Sequence, residues 1–140
     1  MSDLGRIGEA RFALLVTGEQ LPMEQISELL ALQPTHTVRK GDLLNRLPEV
    51  LAQSDEWIYT VPLVDPIGVD SVLTGILASL RERTDALARV KQFGALTLRI
   101  HLQSDFAQMV YRFNPETMKY LVDIGLPLEV SSLSWGEVDM

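Results

Sequence analysis

The chain contains no cysteine, only two histidines and few aromatic residues, and none of its apolar runs is long. Without cysteine there is no disulfide, no thiolate nucleophile and no cysteine-ligated zinc or iron–sulfur site. The histidines, His36 and His101, are far apart in sequence. No His-Glu-x-x-His or calcium-loop pattern occurs, so no metal centre is expected. No apolar stretch approaches the roughly 20 residues that a helix needs to cross a bilayer. The N-terminal residues have no basic stretch followed by an apolar run, so no secretory signal is expected. These absences point to a cytoplasmic protein without a membrane partner. Basic residues are the minority, 12 against 19 acidic ones, for a formal net charge of −7. Such a field repels a phosphate backbone, and nucleic acid is not an expected partner.

Other absences concern catalysis. There is no Gly-x-Gly dinucleotide fingerprint, no phosphate loop and no Gly-x-Ser-x-Gly elbow, so no cofactor and no hydrolase nucleophile are expected. Asp55 and Glu56 are adjacent carboxylates, but neighbours on a loop do not define an acid–base pair.

The chain does have a core to bury. Its 140 residues are 46% apolar and 22% charged, which predicts one globular domain over residues 1–140 with a flexible N-terminus over residues 1–9. Arg11–Gly18 reads as a strand that is apolar on both faces. Pro22 opens a helix carrying Met23, Ile26, Leu29 and Leu30, and Pro34 stops it. An extended piece follows at His36–Arg39 and closes on Gly41-Asp42. Residues 45–56 read as polar and irregular, with a helical turn at Pro48–Gln53. Trp57–Leu63 is a strand with Trp57, Tyr59, Val61 and Leu63 on one face; Pro62 marks an edge position or a strand end.

A long helical stripe runs from Val72 through Leu73, Ile76, Leu77, Leu80, Thr84 and Leu87 to Val90, with Gly94 beyond it. The polar cluster at Arg81–Asp85 is a candidate break. Ala95–Gln103 alternates cleanly, with Leu96, Leu98, Ile100 and Leu102 inward and Thr97, Arg99, His101 and Gln103 outward. Ser104-Asp105 predicts a tight turn into a partner strand at Phe106–Phe113. Asn114-Pro115-Glu116 starts a helix that buries Met118, Leu121, Val122 and Ile124 and ends at Gly125. Leu126–Trp135 is the last strand. The expected class is α+β: a mostly antiparallel sheet with helices on one face, in ferredoxin-like βαββαβ order extended by a βαβ unit.

Two groups of polar residues are candidate binding sites. Thr35, His36, Arg39, Lys40 and Asp42 combine a hydroxyl, an imidazole, two cations and a turn, a set able to hold an anion. In an extended chain, however, Arg39 and Lys40 diverge. Arg99 and His101 share the polar face of the cleanest strand, with Gln108, Arg112, Glu129 and Ser131 as possible neighbours. A solvated antiparallel face has the same composition. Trp57 reads as a packing residue.

Leu30-x-Leu32-x-Pro34-Thr35, Lys40-Gly41-Asp42 and Trp57 together resemble the bacterial family catalogued as domain of unknown function 4279. An early Phe12-x-Leu14-x-Val16-x-Gly18 strand, a long middle helix and a closing helix agree with it. The resemblance implies a bacterial, cytoplasmic, stand-alone domain and carries over no catalytic residue. By analogy with other small acidic α+β proteins, an immunity-like role is one expectation. The leading expectation is a non-enzymatic binding or protein-interaction domain, with a protein partner or a homodimer. The alternative is a domain for a small anionic ligand, or an unrecognised enzyme, using Thr35–Asp42 or the Arg99/His101 face.

Overall fold

The computed structural model describes residues 9–63, 69–106 and 112–137. Seven strands and four helices follow one another among them: β1 (Glu9–Gly18), α1 (Met23–Leu30), β2 (His36–Val38), β3 (Leu43–Arg46), β4 (Glu49–Leu51), β5 (Asp55–Pro62), α2 (Val69–Arg81), α3 (Thr84–Val90), β6 (Ala95–Phe106), α4 (Pro115–Ile124) and β7 (Leu128–Glu137). The fold is α+β. Its main sheet has the order β2-β5-β1-β6-β7, and β3 and β4 form a separate two-stranded sheet. β1 runs antiparallel to both β5 and β6, and β2 antiparallel to β5, whereas β7 lies parallel to β6. The sheet is therefore mixed.

Alternation along β1 and β6 sets the two faces. Phe12, Leu14 and Val16 join Leu96, Leu98, Ile100, Leu102 and Trp57 in one core with Ile26, Leu30, Leu73, Leu77, Leu87, Val90 and Ile124 of the helices. All four helices contribute to this cluster. Burial of these side chains, at about 25 cal/mol per Å² of apolar surface, is the main force holding helices to sheet. α2 packs on α4, and α1 on α3. At Gly94 the backbone comes so close to β1 that a Cβ would stand 2.4 Å from the Thr17 carbonyl oxygen. Only glycine fits at this join between the helical layer and β6.

Four expectations need correction. Residues 45–56 hold no helical turn; β3 and β4 pair there as a hairpin. Leu43-Leu44 and Val50-Leu51 are apolar doublets, too short to show alternation. Ser104-Asp105 is not a turn, because β6 continues through Phe106, paired at this end with β7. The proposed partner strand at Phe106–Phe113 thus begins inside β6; residues 107–111, with Gln108, lie outside the described residues, and residues 112–114 are not strand. The long middle stripe is carried by two helices, the break falling at the candidate cluster, where Glu82 and Arg83 separate α2 from α3. α4 keeps only part of its expected face: Ile124 is buried as expected, but Met118 is 49% and Val122 78% exposed, and Thr117 is buried in their place. Finally, Asn114 occupies the N-cap position without a side-chain cap bond; its amide donates instead to Asp70 Oδ2 at 2.7 Å.

Candidate functional site

Asp55, the first residue of β5, is buried and organises the segment before it. Its Oδ2 accepts the Leu21 N–H at 2.9 Å and Arg39 Nη1 at 2.7 Å, and its Oδ1 accepts the Lys40 N–H at 2.8 Å. Arg39 Nη1 also donates to the Leu21 carbonyl at 2.9 Å. The Lys40 N–H holds the Asp55 carboxyl below its ordinary pKa, helped by the Arg39 side chain and the Leu21 N–H and opposed by burial. Asp42 turns the chain back by accepting the Arg39 N–H at 2.7 Å. Thr35 ties β2 to β5: its hydroxyl donates to the Ile58 carbonyl at 3.2 Å and accepts the Thr60 N–H at 3.1 Å. Lys40 Nζ reaches Glu19 at 3.3 Å. His36 stands exposed on edge strand β2, level with Ile58.

The second candidate group lies on the face turned away from the helices. Arg99 donates through Nε and Nη2 to Glu129 Oε1, at 3.1 and 2.9 Å. His101 Nδ1 is 3.2 Å from Ser131 Oγ and sits opposite Arg11, which pairs with Glu9 at 3.2 Å. Residues 99 and 129 are register partners, as are 101 and 131, so the parallel pairing of β6 with β7 makes these contacts. The two candidate groups do not meet. β5 and β1 separate β2 from β6, which at the usual strand spacing puts them about 14 Å apart.

Two further features were not read from the sequence. The first is the β3–β4 hairpin. Leu43, Leu44, Val50 and Leu51 are 41–54% exposed and Leu47, at its turn, is 89% exposed. Backbone bonds fix its base, from the Gly41 N–H to the Ala52 carbonyl at 2.9 Å and from the Ala52 N–H to the Asp42 carbonyl at 2.8 Å. The second is a cleft of about 330 Å³ between α2 and the sheet, bordered by Phe12, Tyr59, Gly75, Ile76 and Arg83 among others. Its sequence signal was Gly75, a glycine within a helix that has no turn to make. Among the described residues no group of three or more His, Cys, Asp or Glu is placed to hold a metal ion, and no helix is long and apolar enough to cross a membrane.

A family model described as a domain of unknown function (DUF4279) matches residues 9–135, nearly the whole chain. The chain belongs to this family. No curated protein and no solved structure matches it. In this DUF4279 domain, the residues that carried the resemblance converge on β5 and the turn before the hairpin. Lys40 and Asp42 set that turn around Asp55, and Thr35 pins β2. Trp57 is fully buried and donates its indole N–H to Ser27 Oγ at 3.0 Å, which in turn donates to the Met23 carbonyl at 3.1 Å. A buried tryptophan needs such a partner for its N–H.

Proposed function

We propose that this domain is a non-enzymatic protein-interaction module and that the β3–β4 hairpin is its contact element. One observation carries the reading: five large aliphatic side chains, Leu43, Leu44, Leu47, Val50 and Leu51, are exposed on a two-stranded arm outside the main sheet. A lone hairpin is marginally stable in water, and an exposed apolar cluster of this kind marks an interaction surface. The Asp55 network then serves as the mount of the arm. Arg39 and Asp42, which the sequence offers as anion ligands, are engaged in that mount. The net charge of −7 favours a partner whose apolar surface is ringed by basic groups.

The test compares Leu44→Ser/Leu47→Ser with Arg99→Ala/His101→Ala. Both pairs lie on exposed or half-exposed surface, so each variant keeps its stability to within about 1 kcal/mol. A partner captured by the wild-type chain is lost with the hairpin variant and kept with the sheet-face variant. Equal capture by the two variants contradicts the assignment.

A further inference from the structure

The cleft between α2 and the sheet has the size and lining of a small-ligand site. Its volume, about 330 Å³, falls at the lower end of the range for ligand pockets, roughly 300–1,000 Å³. On the sheet side it is bordered by the buried Phe12 and Leu14 of β1 and by Tyr59 of β5, and on the helix side by Val72, Gly75, Ile76, Ser79 and Leu80 of α2. Such a mixture, mostly apolar with a few polar groups, orients an apolar molecule by one end.

Gly75 is the first independent sign. It lies in the middle of α2, where glycine costs about 1 kcal/mol relative to alanine. A Cβ placed on it meets nothing within 4 Å, so neither close packing nor a positive φ requires a glycine there. Its effect is to leave one wall of the cleft unfilled. The second sign is Arg83, between α2 and α3. Among the described residues it is the one charged residue bordering the cleft, and it makes no ion pair with any of them. Its Nη1 donates to the Leu30 carbonyl at the end of α1, which fixes the guanidinium at this end of the cleft. The guanidinium fork has further donors, and its geometry matches a carboxylate.

We infer that the cleft binds a small amphipathic monocarboxylate, its chain along Phe12, Gly75 and Ile76 and its carboxylate on Arg83. The ligand neutralises a half-buried cation and covers apolar surface at the same time. The inference is independent of the hairpin reading, because the two surfaces involve different residues.

Decanoate and decanol are the probes, titrated into the purified chain below the micelle threshold and followed by the methyl resonances of Val72 and Ile76. Decanoate is expected to bind saturably, and decanol about tenfold more weakly or less. Gly75→Leu fills the cleft while favouring the helix, and is expected to abolish decanoate binding in a folded protein. Arg83→Gln is expected to weaken decanoate to the level of decanol. Three outcomes overturn the inference: no saturable binding by the wild type, unchanged binding by Gly75→Leu, or decanol binding as tight as decanoate. Unchanged binding by Gly75→Leu would place the ligand elsewhere, with the exposed leucines of the hairpin as the next surface to test.

Discussion

Asp55 gathers two backbone N–H groups and a guanidinium from Leu21, Lys40 and Arg39, segments that are distant along the chain. Folding lowers its pKa, so the folded chain keeps the carboxylate ionised at pH values where the unfolded chain begins to protonate it. Its contribution to stability is therefore complete above the ordinary aspartate pKa and is lost as pH falls towards the folded value. Urea unfolding of Asp55→Asn is expected to show lower stability at neutral pH and a flatter loss on acidification; parallel pH profiles for the two proteins would contradict the role. Nothing local in the sequence marks this residue, which looks like half of the pair Asp55-Glu56. Its partners are joined to it only by the fold. Ala31 is a smaller case. It ends α1 in the left-handed region, φ 53°, where a Cβ is disfavoured and glycine is the usual choice. Ala31→Gly is expected to gain about 1 kcal/mol, read as a higher denaturation midpoint with unchanged slope.

Elements that carry their own periodicity were legible. β1, β5 and β6 alternate, α1 stops short of Pro34, and Leu73, Leu77, Leu80, Leu87 and Val90 of the stripe are buried, with Thr84 exposed, even though the helix is broken at Glu82 and Arg83. Elements defined by pairing were not. β3 and β4 are solvated on both faces, so their residues show no inward pattern. The far end of β6 is extended by β7, whose parallel approach depends on the intervening α4. Half of the α4 face, Met118 and Val122, departs from its periodicity for a specific reason. Its inward stripe contains Thr117, a polar residue that the core tolerates because its hydroxyl donates to Asp70 Oδ1 at 3.0 Å and lies 3.2 Å from Thr74 Oγ1. With Asn114 on the other carboxylate oxygen, Asp70 clasps the start of α4 to the start of α2. Thr117→Val keeps the shape but removes the hydroxyl, and is expected to cost about 2 kcal/mol. Chemical denaturation measures it, and a change under 0.5 kcal/mol, the scatter expected of an ordinary surface substitution, would show that the clasp is incidental.

At the scale of the molecule the polar and apolar surfaces divide the work. The helices cover one face of the sheet, charged pairs such as Arg99–Glu129 occupy the other, and the hairpin extends outside both. Part of the mount was legible, since Arg39, Lys40 and Asp42 lie in the segment that the sequence singles out, whereas Asp55, which joins them, does not stand out. The sequence did not show the arm, because exposed leucines next to polar residues read as an ordinary irregular loop until their pairing is known. It did not show the cleft either, whose borders come from β1, β5, α2 and the residues after α1. The proposed role of the hairpin is to meet a protein. The most direct measurement places a photo-activated cross-linking residue at position 47 in the intact cell, with position 129 on the sheet face as the control. A discrete protein adduct is expected from position 47 and none from position 129. An adduct from position 129 alone, or from neither position, would contradict that role.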